Sequence, residues 1–288
     1  MKKYTLVRLF LKMIAFHQEC ERLSHFRKPV TIQAYKNKLG ILCEFLLEKK
    51  LMKIRTNQYN RDIAYQYYEW LQAKYANNYA IRCVEIVSTV LEFGINESLI
   101  DVNLVGSLKL KRTKASKPTY FTPNQIELWE NFKSSDEDLI KASHLAIIQM
   151  HTGFDYGDFK EISRDIVTMY KGRKYIIKPR QKNGNEAIIP LHPKVDAILE
   201  FYDYKMNILS NPEYNLKIKE IAKSLSINIY INSKGLRKVF AMDQLNNKGL
   251  SIEAVSKMLG HSKVKTTEET YAHVNINLIN NQLNQLGL

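Results

Sequence analysis

Leu259-Gly260-His261-Ser262, then Thr266-Thr267, then Tyr271-Ala272-His273, is the stretch that decides how the chain is read. A histidine precedes a tyrosine by ten positions, across a short connection rich in Lys, Thr and Glu. A free tyrosine hydroxyl has a pKa of about 10, so it is a weak nucleophile unless neighbours stabilise its developing charge. A tyrosine that attacks a phosphodiester also needs a nearby group to hold the phosphate oxygens, a task within the chemistry of a histidine. Leu259-Gly260 reads as a helix end, because glycine closes a helix without steric cost.

The composition agrees with a partner that carries phosphates. The chain has 288 residues, of which 45% are hydrophobic and 25% charged, an ordinary globular balance and long enough for two cores. Its formal net charge is +14, and its pI is near 9.4. A polyanion, nucleic acid above all, is the natural explanation, with a merely soluble basic surface as the plainer one. Cys20, Cys43 and Cys83 are too few and scattered for a disulfide framework or a zinc site, and read as small core residues of a reduced, cytoplasmic protein. At the start, Arg8 and Lys12 interrupt the apolar run, so Leu6, Phe10 and Ile14 predict an amphipathic helix rather than a signal peptide. No stretch approaches a membrane span.

Residues 1–108 read as helices. Thr31 is a candidate N-cap ahead of Tyr35, Leu39, Leu42, Phe45 and Leu46, and two more patterns run through Ile63–Leu71 and Ile81–Leu91. Basic faces (Lys36, Lys38, Lys49, Lys50, Lys53, Arg55) suit a small bundle gripping a phosphate backbone, or simply a solvated surface. Residues 109–118 form a basic, proline-ended linker, expected to be extended and exposed. Its Lys109, Lys111, Arg112 and Lys114 are candidate DNA contacts. From 119 to 288 the pattern is mixed. Thr122 caps a helix with Pro123 at its first position. His144–Met150 is helical, and Tyr175–Lys178 and Ala187–Pro190 read as strands around the Asn183-Gly184 turn. Helices then return, and Ile276, Ile279, Leu283 and Leu286 share a last helical face. The expected class is mainly α with a small β-hairpin or sheet.

These boxes together resemble the tyrosine recombinase (phage integrase) family, whose members commonly read LGHS–TT–TYAH at this place. The resemblance covers the chain in outline: 1–108 as a helical, SAM-like core-binding domain, 109–118 as the linker, and 119–288 as the catalytic domain with an exchange helix. It implies that Tyr271 is the nucleophile forming a 3′-phosphotyrosyl bond, with His261 donating a hydrogen bond to phosphate. Arg237, in Lys234-Gly235-Leu236-Arg237, clamps two phosphate oxygens with its planar fork. Lys182, beside the hairpin turn, protonates the leaving 5′-oxygen. No metal or other cofactor is implied. The implied partners are double-stranded DNA, three further copies of the chain in a tetramer on two duplexes, and accessory DNA-bending proteins; the free protein can be a monomer.

Two positions depart from the family pattern. Lys234 stands where the family has histidine, as in related type IB topoisomerases, and a charged lysine accepts no proton. Thr152-Gly153-Phe154-Asp155 aligns with Thr-Gly-Leu-Arg, so Asp155 replaces the first catalytic arginine. Asp155 either caps a helix beginning near Tyr156 or faces the phosphate at an electrostatic cost, and the cap is the favoured expectation. Arg164, Arg173 and Lys178 are candidates for the missing cation. Two further readings stay open at this point: a DNA-binding protein of recombinase ancestry that no longer cuts, and a type IB topoisomerase-like enzyme.

Overall fold

In the computed structural model, residues 4–19, 27–113, 121–180, 184–271, 283, 284 and 287 are described. The chain divides into two compact units, Met1–Ala115 and Ser116–Leu288.

Among the described residues, the first unit contains four helices: α1 (Leu6–Glu19), α2 (Pro29–Glu48), α3 (Arg61–Gln72) and α4 (Asn77–Asn96). The amphipathic start folds as expected, and α1 buries Leu6, Leu9, Phe10, Met13 and Ile14. Helix α2 opens on Pro29 with Lys28 at the cap, so Thr31 lies inside the helix rather than at its end. Proline at the first position sets φ for the helix and needs no hydrogen-bond partner, which moves the start upstream of the threonine. Asn60 caps α3 by accepting from Ile63 N at 3.1 Å. Gly94 lets α4 approach α1 closely: a Cβ there would lie 2.8 Å from Leu9 Cδ2. Phe45 and Tyr67 pack at 5.0 Å between ring centroids, and Trp70 flanks them. Side chains of this size each contribute roughly 1.5–3 kcal/mol when fully buried.

The segment expected to be a free linker begins as part of this unit. Asn77 Nδ2 donates to Lys111 O at 3.1 Å and to Thr113 Oγ1 at 2.8 Å. Asn78 exchanges hydrogen bonds with the Thr113 backbone at 2.8 and 2.9 Å. Arg112 forks onto Glu85 at 2.5 and 2.7 Å, so its charge is already shared with a carboxylate. Lys109 and Lys111 are exposed. Lys114 lies outside the described residues.

The second unit is built around α6 (Glu137–Thr152), which buries ten consecutive-turn residues from Ala142 to Thr152 except His144. Helix α5 (Pro123–Glu130) opens with Thr122 and Gln125 bonding each other's backbone, as the sequence signals. The antiparallel sheet runs β1 (Val167–Tyr170), β2 (Arg173–Pro179) and β3 (Glu186–Pro190), with Tyr175 opposite Pro190 and Pro179 opposite Glu186. Strand β1 was not expected; it is mostly exposed, so it lacks the alternating burial that marks a strand in sequence. Helices α7 (Pro193–Phe201), α8 (Asn211–Ser224), α9 (Ser233–Met242), α10 (Ile252–Leu259) and α11 (Val264–Tyr271) complete the unit. Gln149 ties α6 to α8 and α9: its side chain donates to Ser233 Oγ at 3.0 Å and accepts from the Tyr214 hydroxyl at 2.9 Å. Of the C-terminal face, Leu283 is exposed, while Ile276, Ile279 and Leu286 lie outside the described residues.

Candidate active site

Two helix C-termini meet at the site. Helix α6 ends at Gly153 (φ 63°) and α10 ends at Gly260 (φ 64°), both in the left-handed conformation that only glycine adopts freely. A Cβ on Gly153 would lie 2.5 Å from Phe240 Cδ1, and one on Gly260 would lie 2.6 Å from Arg180 Cγ. Helix C-termini leave carbonyl oxygens unpaired and carry partial negative charge. Facing a phosphate they would repel it, unless cations cap them first.

Arg237 is one such cation. It projects from α9, whose start is fixed by Asn232 accepting from Gly235 N at 2.9 Å. Its Nη1 donates to Gly153 O, and its Nη2 donates to Leu259 O at 2.9 Å. Nη2 also approaches His261 Nε2 at 3.4 Å. A guanidinium only donates, so His261 accepts there and carries its proton on Nδ1, facing Thr267 Oγ1 at 2.8 Å. Thr267, the second threonine of the box, is fully buried and orients the imidazole.

Tyr271, the last residue of α11, lies with its ring within 6° of parallel to His261 at 6.4 Å between centroids. Burial pushes its hydroxyl above the usual tyrosine value, and the Arg237 cation works against that rise. Asp155 raises it further, and the nearby Arg180 lowers it. The tyrosine, histidine and arginine singled out in sequence therefore converge.

Asp155 does two things at once. It stands at the N-cap position of the 3-10 turn Tyr156–Glu161, with its own N–H donating to Asp158 Oδ2 at 2.8 Å. Its carboxylate nevertheless points at the site, with Oδ1 3.8 Å from Arg237 Nε and the side chain 45% exposed. The backbone position is that of a cap, while the carboxylate lies against Arg237.

None of the three proposed replacement cations is available. Arg164 forks onto Glu200 and Asp203 on the surface. Arg173 begins β2, at the opposite end of the strand from the site. Lys178 is buried, with Nζ 2.8 Å from Glu161 and 3.4 Å from Asp158. The cation that reaches the site is Arg180, which sequence reading passed over as context for Lys182. It is 4% exposed. Nη1 pairs with Asp158 Oδ2 at 2.6 Å, Nη2 donates to Gly153 O and Met258 O at 3.2 Å each, and Nε donates to Leu259 O at 3.2 Å. Burial and the neighbouring Arg237 pull it down to about 10, so it stays charged at neutral pH. Burial opposes the charge of Asp158, but Arg180 and Lys178 outweigh it and hold that carboxyl below its usual range. No local sequence signal marked Arg180: it follows the end of β2, and the Gly260 that its stem packs against is brought to it only by the fold.

Lys234 is exposed on α9, one turn before Arg237 and on the same side of the helix. Lys182 lies outside the described residues. Among the described residues, no group of three or more His, Cys, Asp or Glu side chains could hold a metal ion, and no helix is long and apolar enough to cross a membrane.

The phage integrase family model matches residues 119–277, more than half of the chain. The chain belongs to the phage integrase family. Among curated phage integrase relatives, it is 22% identical to the tyrosine recombinase XerC of Roseiflexus castenholzii, over 85% of this chain and 83% of that protein. It is 20% identical to XerD of Halalkalibacterium halodurans, over 91% and 95%. Solved structures share the integrase fold. The Tn1549 transposon integrase in complex with transposon right end DNA superposes with a TM-score of 0.71 at 15% identity, covering 99% of this chain and 100% of that one. A lambda integrase dimer bound to a COC′ core site gives 0.69 at 14%, covering 96% and 81%. The phage integrase fold here is the mainly helical one with a small antiparallel sheet that the sequence pattern predicts. As a tyrosine recombinase of this family, the chain is a DNA strand-transferring enzyme.

Proposed function

We propose that this chain recombines double-stranded DNA site-specifically, with Tyr271 as its nucleophile. The observation that carries the assignment of Tyr271 is its convergence with Arg237 and His261 at the capped ends of α6 and α10. The Tyr271 hydroxyl gives up its proton to water as its oxygen attacks the scissile phosphorus, the bond to the 5′-oxygen breaks, and a 3′-phosphotyrosyl bond forms. Arg237 and His261 hold the non-bridging oxygens as charge builds on them, usually the largest contribution in such a site. On phosphate binding, His261 Nε2 must change from accepting to donating, so it takes up a proton or exchanges tautomers as Arg237 turns to the phosphate. Lys182, which falls between β2 and β3 in sequence, gives the leaving oxygen its proton. Attack by the 5′-hydroxyl of a second strand reverses the steps and restores Tyr271. Lys234, beside Arg237 on α9, donates to the phosphate and leaves the base role open.

The remaining assignments rest on the resemblance together with the charge. Residues 1–108 grip the duplex, Lys109, Lys111 and Lys114 contact its phosphates, and residues 119–288 carry the chemistry. Four copies assemble on two duplexes through the C-terminal segment, in the cytoplasm. The decisive experiment uses a nicked half-site built on the duplex that the protein selects from a randomised pool. Wild-type protein accumulates a covalent adduct that migrates with the DNA on a denaturing gel, and Tyr271→Phe binds equally but forms none. Adduct persisting in Tyr271→Phe assigns the nucleophile elsewhere, and no adduct with wild type rejects strand cutting altogether.

A further inference from the structure

The geometry points to Arg180 as the residue that restores the positive charge lost at position 155, acting from the floor of the pocket with Asp158 as the residue that positions it. This rests on the strand-cutting reading of the same site.

The site contains two guanidinium groups in close company. Both donate to Gly153 O and both donate to Leu259 O. Two like charges drawn together this way, with little water between them, repel one another, and only an anion relieves the repulsion. In the free protein Asp155 offers partial relief, 3.8 Å from Arg237. A phosphodiester carries the same charge in a group that presents two oxygens to the fork.

Arg180 is also held more rigidly than a pocket arginine needs for packing alone. Its fork is fixed by a carboxylate on one side and three main-chain carbonyls on the other. Asp158 does not cancel it, because Lys178 lies 3.4 Å from the other Asp158 oxygen. The buried trio of Lys178, Asp158 and Arg180 carries one net positive charge, which Glu161, 2.8 Å from Lys178, offsets from the Lys178 end of the cluster. Glu161, which bonds Lys178, sits at the solvent side with its side chain 40% exposed. A charge fixed in a low-dielectric floor acts on a nearby phosphate without reorganising, the condition under which electrostatic catalysis is strongest. Gly260 belongs to the same device, since the Arg180 stem occupies the space its Cβ would need. The architecture thus moves the cation from the loop after α6 to the end of β2, and position 155 is relieved of that duty.

The test is charge removal on the substrate. A nicked half-site is prepared with either an ordinary scissile phosphodiester or a methylphosphonate, which lacks the negative charge. Arg180→Met is expected to slow covalent adduct formation on the phosphodiester by roughly 10²–10³-fold, the loss typical of removing one transition-state donor. On the methylphosphonate it stays within about tenfold of wild type, because there is no charge left to compensate. Arg237→Ala, run alongside, shows the same pattern. Equal slowing on both substrates makes Arg180 a structural fastener and overturns the proposal, as does no slowing on either. If Arg180→Met does not fold, Arg180→Gln decides: it keeps amide donors for the carbonyls and removes the charge, so slowing on the phosphodiester that exceeds slowing on the methylphosphonate supports the proposal, and equal slowing on both overturns it. Absence of adduct from wild-type protein on both substrates would instead reject the strand-cutting reading, and this proposal with it.

Discussion

Asp155→Asn isolates the charge that faces the clamp. Asparagine keeps the size of the side chain and caps as well as aspartate, so the turn at Tyr156 is preserved. What disappears is a carboxylate 3.8 Å from Arg237 Nε, on a side chain 45% exposed. Two unit charges about 4 Å apart interact by ~1 kcal/mol in bulk water and ~4 kcal/mol near a protein surface. Half exposure, and the modest worth of exposed ion pairs, place this one near ~1 kcal/mol. The same carboxylate also opposes an incoming phosphate, so the pair it loses and the repulsion it removes favour the DNA complex together. The expected outcome is single-turnover adduct formation about fivefold faster, since 1.4 kcal/mol is a factor of ten. The free protein's melting temperature should change by no more than a few degrees. Asp155→Arg should accelerate further while lowering the melting temperature, as a third guanidinium joins Arg237 and Arg180 with no DNA present. A rate unchanged or reduced in Asp155→Asn, at unchanged stability, would refute the view that this carboxylate competes with the phosphate.

Lys182→Ala should slow cleavage of an ordinary phosphodiester far more than that of a 5′-bridging phosphorothiolate, whose thiolate leaves without a proton; equal slowing of both would make Lys182 a binding residue only. Gly260→Ala should lower stability by roughly 1–3 kcal/mol, seen as a reduced denaturation midpoint, because φ of 64° is strained for alanine and its Cβ meets Arg180. His151, stacked on His192 and 2.6 Å from Glu130, is pulled by burial from 6.5 down to about 4. Its folded value is depressed, so the unfolded chain binds the proton more readily and stability rises with pH. That contribution is complete above about 6.5 and is lost as pH falls toward about 4. Melting temperature should climb across that window more steeply in wild type than in His151→Gln, and parallel curves would refute the assignment.

How far the sequence reached depended on the range of the interaction. Local rules placed Pro123 and Thr122 at the start of α5, the hairpin strands on either side of Gly184, and Gly260 at the end of α10, because caps and turns are decided within four residues. The spacing of Leu-Gly-His-Ser to Tyr271 reported the site for a related reason: α11 carries the tyrosine back to a histidine that the preceding glycine has already turned. Local rules failed where a neighbour changed the answer, as at Thr31, displaced by Pro29, and at Arg112, taken up by Glu85 of α4. Only tertiary structure decided the fate of the missing arginine. Arg180 and Gly153 are far apart in sequence, and the burial that leaves Lys178 and Arg180 sharing Asp158 has no local signature. The same holds for Asp155, whose cap position was legible from its neighbours while the direction of its charge was not. A side chain's partner across the core is set by packing, and packing is a property of the whole unit rather than of any window of sequence.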